Sequence, residues 1–321
     1  MKIALICGIN GQDGSYLAQF LIARGYRVFG TSRDAQGSNY HNLAALGIAG
    51  EVSVESMSLN DFRSVLHVLA KTQPNEIYNL AGQSSVSLSF DQPVETLESI
   101  STGTLNLLEG IRFLDSSMRL YNAGSSECFG NTGQTPADEN TPFRPRSPYA
   151  VAKACAANLV ANYREAYQLF ACTGFLFNHE SPLRPRRFVT RKIVEAAYRI
   201  HKGLESHVTL GNLDISRDWG WAPDYVEAMW LLLQRESPLD VVIATGRTVS
   251  LQYFVKGAFA YFDLDWEQHV IQDKALLRPS DIAYSAANVS LATAELGWTA
   301  RHSIDDVVQN MCKVASELQG R

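Results

Sequence analysis

The stretch that decides the fold lies at the start of the chain, where residues 2–26 read KIALICGINGQDGSYLAQFLIARGY. Residues 2–7 form a short apolar run of the kind expected for a strand that is buried on both faces. Glycines follow it at a spacing of three, at Gly8, Gly11 and Gly14, and lead into a helix-like pattern. The glycines permit the turn and a close backbone approach, and the helix N-terminus favours pyrophosphate. The stretch therefore predicts a dinucleotide-binding unit.

Strand and helix patterns alternate through the first half of the chain. Further strands are predicted at residues 27–31, 51–54, 76–79 and 119–123, with helices over residues 61–70 and 94–113. This alternation predicts an α/β fold with a Rossmann-like, doubly wound parallel sheet covered on both faces. We expect residues 1–175 to form this dinucleotide-binding domain. We expect residues 176–321 to form a smaller, mixed α/β substrate domain, with some segments returning to the large sheet.

Composition excludes several classes of function. The chain has 321 residues, 46% of them hydrophobic, and a net charge of -5, which argues against a general nucleic-acid or acidic-membrane surface. The five cysteines are scattered without metal-ligand spacing, so we expect reduced thiols and no metal site. No signal peptide or apolar run of membrane-spanning length is visible. These features predict a cytoplasmic protein without a nucleic-acid or membrane partner.

A Tyr-Lys pair carries the first indication of chemistry. Tyr149 and Lys153 lie one helical turn apart in the string SPYAVAK, on a helix predicted over residues 148–166. A neighbouring ammonium favours the phenolate, so a tyrosine with an ordinary pKa near ~10 becomes a proton acceptor. Such a pair suits the oxidation of a secondary alcohol. Because parallel strands place active groups at their C-terminal ends, Ser125 and Glu127, just beyond the strand at residues 119–123, are expected nearby.

Arg33 bears on the choice of cofactor. It follows the second predicted strand, where an NAD-selective site commonly places an acidic residue for the ribose diol. A guanidinium at this point suits the 2′-phosphate of NADP, although the neighbouring Asp34 moderates its charge. We therefore expect NADP, with NAD as the alternative.

Several longer strings identify a family. GINGQDG, YNLAGQS, GSSECFG and SPYAVAK occur in the order seen in the extended short-chain dehydrogenase/reductase family, which the chain resembles over nearly its whole length. Within that family it is most similar to the GDP-mannose 4,6-dehydratases, because the second half carries FNHESPLR, FVTRKI, GNLDISRDWG, DYVEAMW and VIATG. The resemblance implies a reaction that leaves the cofactor unchanged overall: oxidation at sugar C4, loss of water across C5 and C6, and return of hydride to C6.

The resemblance also implies roles for particular residues. Ser125 would hold the C4 hydroxyl, Tyr149 with Lys153 would accept its proton, and Glu127 would act as acid and base at C5 and C6. Cofactor contacts are implied at Gly8, Gly11, Gln12, Asp13, Gly14, Arg33, Ser58, Leu80, Ala81, Tyr149 and Lys153. Contacts to a GDP-sugar are implied at Asn178, which is expected to end a strand, and at Thr190, Arg191, Lys192, Arg217, Arg278 and Asp281.

Some positions depart from the family pattern and leave other functions open. Ser125 stands where the family usually has Thr, Ser58 where it usually has Asp, and Asp34 where it commonly has a basic residue. The loop at residues 184–187 lacks its usual glycine. The alternatives are another nucleotide-sugar epimerase, a 4-keto reductase, a dehydratase of a modified GDP-hexose, or a binding or regulatory protein with impaired cofactor use.

Enzymes of this kind often pair through two long helices per subunit. In this chain those helices correspond to residues 94–113 and 148–166. The resemblance thus predicts a homodimer with a four-helix interface, and a tetramer is the alternative.

Overall fold

The structure, a computed structural model, describes residues 1–133 and 135–318. Its strands are β1 (Ile3–Cys7), β2 (Arg27–Ser32), β3 (Val52–Ser56), β4 (Glu76–Asn79), β5 (Arg119–Ser125), β6 (Ala171–Leu176), β7 (Asn178–Glu180), β8 (Val208–Leu210), β9 (Ser216–Trp221), β10 (Val241–Ile243), β11 (Thr248–Ser250) and β12 (Val270–Gln272). Its helices are α1 (Gln12–Ile22), α2 (His41–Ala45), α3 (Phe62–Thr72), α4 (Val86–Asp91), α5 (Pro93–Leu97), α6 (Gly103–Leu114), α7 (Pro148–Tyr167), α8 (Val189–His201), α9 (Ala222–Gln234), α10 (Leu251–Ala260), α11 (Ser290–Leu296) and α12 (Ile304–Leu318).

A seven-stranded sheet forms the centre of the molecule, with strand order β10-β6-β5-β4-β1-β2-β3. Every pairing within it is parallel. The strand order reverses between β1 and β4, which in doubly wound sheets opens a crevice at the C-terminal ends of the strands. The predicted Rossmann-like fold is confirmed, and the predicted strands in the first half lie within two residues of the observed bounds.

Helices cover both faces of this sheet and position the residues at its edge. One face packs against α1 and α9 through a core that includes Leu17, Leu21 and Met229. The other packs against α3, α6 and α7, where Val65, Leu107, Ile111 and Val160 are buried. The helix predicted over residues 94–113 is present but is interrupted by a π turn at Glu98–Thr102, which joins α5 to α6.

The second half of the chain builds smaller sheets beside the large one. A three-stranded sheet has the order β11-β9-β7, with one parallel and one antiparallel pairing, and β8 pairs with β12. Asn178 begins β7 and does not end a strand as predicted, because Phe177 separates it from β6 and β7 pairs with β9. The smaller mixed α/β part is therefore as predicted. The boundary between residues 175 and 176 stays a prediction.

None of the helices in the described ranges is both long enough and apolar enough to span a bilayer.

A buried carboxylate stabilises the end of the sheet opposite the crevice. Glu76 is 1% exposed and accepts hydrogen bonds from Lys2 Nζ at 2.8 Å, the Tyr78 hydroxyl at 2.8 Å and the Tyr26 hydroxyl at 3.1 Å. Removing it leaves the buried Tyr78 hydroxyl without its acceptor. We expect Glu76→Ala to lower the free energy of unfolding by about 3 kcal/mol, measured by urea denaturation.

The control for this prediction is Glu55→Ala. Glu55 also pairs with a lysine, Lys71, at 2.7 Å, but the pair is exposed. Its loss should cost under about 1 kcal/mol. Equal losses for the two variants would contradict the role given to Glu76.

Candidate active site

A cavity of about 600 Å³ opens at the C-terminal edge of the large sheet, where the two halves of the chain meet. The first half lines it with the end of β5 and the start of α7, and the second half with β7, α8 and β9. A volume of this size suits a small-molecule ligand. The predicted residues on its wall are Asp13, Leu80, Ser125, Glu127, Tyr149, Lys153, Asn178, Thr190, Lys192, Arg217, Arg278 and Asp281.

The glycine turn fits the backbone of a dinucleotide. Gly8 has φ +85°, and a Cβ there would lie 2.9 Å from the Leu80 carbonyl oxygen; a Cβ on Gly14 would collide with the Gly8 carbonyl oxygen. Only glycines allow this close packing of the turn against Leu80 and Ala81. Helix α1 begins at Gln12 with no side chain capping it, so its N-terminal N–H groups are suited to pyrophosphate.

The adenine end of the predicted cofactor site lies beyond β2 and β3. The Arg33 side chain is 85% exposed and lies 3.6 Å from the Glu95 carboxylate, an exposed pair that holds the guanidinium weakly. Asp34 turns onto its own loop and accepts hydrogen bonds from the N–H groups of Gln36 and Gly37. Ser58 is half-buried, and its N–H donates to the Ser64 hydroxyl at 3.1 Å.

Helix α7 presents Tyr149 and Lys153 to the cavity. It begins at Pro148, and the hydroxyl of the preceding Ser147 caps it by accepting a hydrogen bond from the Ala150 N–H at 3.1 Å. Lys153 Nζ lies 5.9 Å from the centre of the Tyr149 ring and donates to the Ala123 carbonyl at 2.7 Å. Burial lowers the pKa of Lys153 to about 8.

The pKa of Tyr149 differs from the expectation. Burial raises the pKa of this phenol, although a hydrogen bond with the Ser125 hydroxyl acts in the opposite direction. In the protein alone, desolvation of the half-buried Tyr149 therefore outweighs the charges around it, and its pKa lies above the ordinary value. The Lys153 ammonium is held by the Ala123 carbonyl.

Glu127 lies directly beside these groups. It is half-buried on a short 3₁₀ turn after β5, and its N–H donates to the Ser125 hydroxyl at 3.2 Å. Burial raises the pKa of its carboxyl, although the nearby Arg217 and Arg278 lower it. A carboxyl with a raised pKa suits both removal and delivery of a proton near neutral pH.

Basic side chains converge on the opposite wall. Arg217, on β9, is 4% exposed, and its Nη2 lies 3.2 Å from an Asp281 carboxylate oxygen. Arg278 Nη1 lies 3.4 Å from the same oxygen, and Arg278 Nε donates to the Ser87 hydroxyl at 3.1 Å. The two guanidiniums can receive phosphate oxygens. Asp281 is occupied with holding them, and no contact with a nucleotide hydroxyl is needed to explain its position.

The α8 residues divide into two groups. Thr190 and Lys192 reach the cavity wall, and the Thr190 hydroxyl donates to Glu180 at 2.7 Å. Arg191 lies outside the cavity wall, because Glu195 and the Pro182 carbonyl hold its guanidinium at 2.7 Å and 3.2 Å. The structure therefore brings together every predicted substrate residue except Arg191.

Sequence reasoning missed an ion pair at the cavity. His179 Nε2 lies 2.9 Å from the Asp13 carboxylate, and its Nδ1 donates to the Phe177 carbonyl at 2.7 Å. Burial lowers the pKa of His179, but Asp13 raises it by more, and the pKa of Asp13 is lowered in return. This pair ties the first turn of α1 to β7. The string FNHESPLR, which contains His179, was the available signal.

Other missed residues lie on the same wall. The Glu180 carboxylate is 1% exposed and lies 3.3 Å from Arg184 Nε. Ser85, in the loop after β4, and Ser87, in the first turn of α4, also line the wall, next to Ser84, which the sequence pattern places beyond a strand end. A serine-rich loop resembles an ordinary turn in sequence, so nothing but its place after a strand end could have indicated it.

This fold and site define a nucleotide-sugar enzyme of the extended short-chain dehydrogenase/reductase class. The family model for GDP-mannose 4,6 dehydratase matches residues 5–311. The chain is 44% identical to GDP-mannose 4,6 dehydratase 1 of Arabidopsis thaliana, over 100% of this chain and 91% of the relative. It is 41% identical to GDP-mannose 4,6 dehydratase of Homo sapiens, over 99% and 92%. The chain therefore belongs to the GDP-mannose 4,6-dehydratase family of lyases.

Solved structures agree with the fold. UDP-glucose 4-epimerase of Thermus thermophilus, in complex with NAD, superposes with a TM-score of 0.85 at 24% identity, covering 98% of this chain and 99% of that one. RMD from Pseudomonas aeruginosa, complexed with NADPH, gives 0.83 at 19% identity, covering 99% and 100%. A nicotinamide cofactor is the ligand that these neighbours share.

Proposed function

We propose that this protein is a GDP-mannose 4,6-dehydratase that converts GDP-mannose to GDP-4-keto-6-deoxymannose with no net change in its cofactor. One observation carries the choice over an epimerase or a 4-keto reductase. Glu127, a carboxyl whose pKa burial raises, lies in the same cavity as Ser125, Tyr149 and Lys153. Removal of a C5 proton needs such a base, whereas simple reduction or epimerisation at C4 does not.

The reaction follows from the positions of these groups. The Ser125 hydroxyl holds the C4 hydroxyl, and Tyr149 accepts its proton as C4 is oxidised. Tyr149 does so as the phenolate, the form that the neighbouring Lys153 ammonium stabilises. The resulting ketone acidifies the C5 proton. Glu127 removes that proton and delivers it to the departing C6 hydroxyl, so that water leaves. When hydride returns to C6, C5 regains a proton, and the proton that Tyr149 took from the C4 hydroxyl balances it. Arg217 and Arg278 bind the diphosphate, which places the sugar against Glu127.

A nicotinamide dinucleotide fits the residues present. The tight turn at Gly8 and Gly14 and the uncapped start of α1 would hold its pyrophosphate, and Tyr149 and Lys153 would lie beside its ring. When bound, the nicotinamide takes up a hydride and returns it. We propose NADP as the preferred form, because the exposed Arg33 can turn from Glu95 to a 2′-phosphate.

The decisive experiment is incubation of the purified protein with GDP-mannose, followed by mass spectrometry. We expect a product lighter by one water, formed without net consumption of NADPH. Net consumption of NADPH would make the protein a reductase, and a product of unchanged mass would make it an epimerase. Dehydration of a different GDP-hexose alone would keep the mechanism and correct the substrate.

We further propose that two copies pair through α5, α6 and α7. These helices expose large apolar side chains: Val94 at 66%, Phe113 at 72%, Val151 at 45% and Tyr167 at 46%. Burying such a patch between copies removes it from water. Light scattering is expected to give a dimer, or a tetramer containing this contact. Phe113→Glu should shift the population toward monomer, whereas Leu204→Glu, at a site 62% exposed elsewhere, should not. A wild-type protein that is only monomeric would exclude the contact.

A further inference from the structure

Asp218 is a buried acid that the proposed reaction does not use. It lies in β9 between Arg217 and Trp219, both of which line the cavity, and it is 0% exposed. Because side chains alternate along a strand, its carboxylate leaves β9 on the face opposite to Arg217. It therefore cannot reach the substrate, and its effect on the site must pass through its neighbours.

The carboxylate is bound by a single turn. One of its oxygens accepts a hydrogen bond from the Thr245 N–H at 3.0 Å and from the Thr245 hydroxyl at 2.9 Å. The N–H groups of Gly246, which has φ +80°, and Arg247 lie near enough to lower the carboxyl's pKa. Successive N–H groups in such a turn form an anion-binding concavity. Burial nevertheless raises the pKa of Asp218 to about 6, because desolvation makes the ionised carboxylate less favourable than it is in water.

This turn joins the two parts of the active site. It follows β10, which pairs with β6 in the large sheet, and β6 pairs with β5, the strand that ends at Ser125. On its other side the turn leads into β11, which pairs with β9 at Thr248↔Asp218 and Val249↔Arg217. The pairing of β7 with β9 holds residues 219–221 of β9, whereas Arg217 and Asp218 lie before that pairing, where the contact between Asp218 and Thr245 connects β9 to the turn after β10.

We propose that Asp218 is a positioning residue that fixes β9 on the large sheet, so that Arg217 meets the substrate diphosphate. The inference rests on the proposed function only in giving Arg217 that ligand. The other contacts of Arg217 do not supply this anchor. Its Nη1 donates to the carbonyl of Ser216, its own neighbour on β9, at 2.9 Å, and its partner Asp281 lies outside every strand.

The test measures binding of GDP and of NADP by calorimetry, in wild type, in four single variants and in one double variant that combines Arg217→Ala with Asp218→Asn. Asp218→Asn removes the negative charge that the turn surrounds and replaces one of the two carboxylate oxygens by an NH₂ group. Thr245→Val removes the hydroxyl and keeps the carboxylate, so it serves if Asp218→Asn folds poorly. Arg217→Ala removes the diphosphate ligand itself. Glu139→Gln is the matched control, because Glu139 accepts the Val242 N–H of β10 at 2.7 Å but lies outside the cavity wall.

We expect Asp218→Asn to raise the Kd of GDP about tenfold, and Thr245→Val to raise it by less, with the Kd of NADP unchanged. Steady-state kinetics should show the same rise in KM for GDP-mannose with kcat nearly unchanged. Glu139→Gln should leave both Kd values at the wild-type level. In the Arg217→Ala background, Asp218→Asn should raise the Kd of GDP little further, because its effect passes through the guanidinium that is already missing.

Each other outcome has a distinct meaning. Wild-type GDP affinity in Asp218→Asn and Thr245→Val, with weak binding in Arg217→Ala, overturns the positioning role alone. If Asp218→Asn weakens the binding of GDP and of NADP equally, or if Glu139→Gln weakens GDP binding by the same factor, Asp218 serves general stability. Either result also overturns the positioning role. Normal GDP binding by Arg217→Ala contradicts the diphosphate role in the proposed function.

Discussion

Glu127→Gln is expected to lower kcat for dehydration by roughly 10²–10⁴-fold while GDP-mannose and cofactor still bind. The amide keeps the size and the polar contacts of the side chain but cannot take the C5 proton. Oxidation at C4 does not need Glu127, so the reduced nicotinamide should accumulate on the enzyme. Rapid-mixing absorbance of the reduced nicotinamide, together with deuterium exchange at C5, measures the two steps separately.

The control for this variant is again Glu139→Gln, which changes a half-buried carboxyl outside the cavity wall. It should retain nearly full turnover. Full turnover by Glu127→Gln, or loss of C4 oxidation together with dehydration, would remove Glu127 from the acid-base role and leave a reductase or epimerase as the better assignment.

Tyr149→Phe is expected to lower kcat by a comparable factor, roughly 10²–10⁴-fold, but at an earlier step. Without the hydroxyl no group accepts the C4 proton, so neither reduced nicotinamide nor dehydrated product should form. The ring remains, so cofactor affinity should change little. The same rapid-mixing measurement therefore distinguishes the two variants: absorbance accumulates with Glu127→Gln and stays absent with Tyr149→Phe.

Tyr163→Phe provides the comparison within the same helix. The Tyr163 hydroxyl donates to Glu109 at 2.7 Å, and the residue is not part of the cavity wall. Its loss should leave turnover near the wild-type value. If Tyr149→Phe formed reduced nicotinamide at the wild-type rate, the phenol would not be the acceptor, and Lys153 would become the candidate.

The large sheet could be predicted because β1 is a short apolar run followed by a glycine turn, and strand-like segments then alternate with helical patterns along the first half of the chain. The location of the proposed catalytic groups could be predicted from the same pattern, since Ser125 ends β5, Glu127 follows it and Tyr149 opens a helix. Long-range neighbours could not. Arg217 lies near Glu127 because β9 pairs with β7 and β11, and no local pattern in the chain encodes those pairings.

Two further features depend on packing and not on residue type. The pKa of Tyr149 rises because the folded chain removes it from water, which the spacing of Tyr149 and Lys153 does not reveal. The π turn at Glu98–Thr102 was not predicted either, because its residues continue a helical pattern. The mistaken strand end at Asn178 has a similar cause: Phe177 is apolar like β6, and only the change of pairing partner separates them.

The π turn has a consequence for how this region can vary between related chains. Ile100, within the turn, packs with Ala152 and Ala156 against Tyr149, and the Ser101 hydroxyl donates to the Ala152 carbonyl at 3.1 Å. Val94 and Phe113, on either side of it, face outward. Inserting or deleting one residue would rotate α6 relative to α5 by about 100°, and either the support of the phenol or the outward apolar face would be lost. Substitutions can accumulate here, whereas changes of length are expected to be excluded.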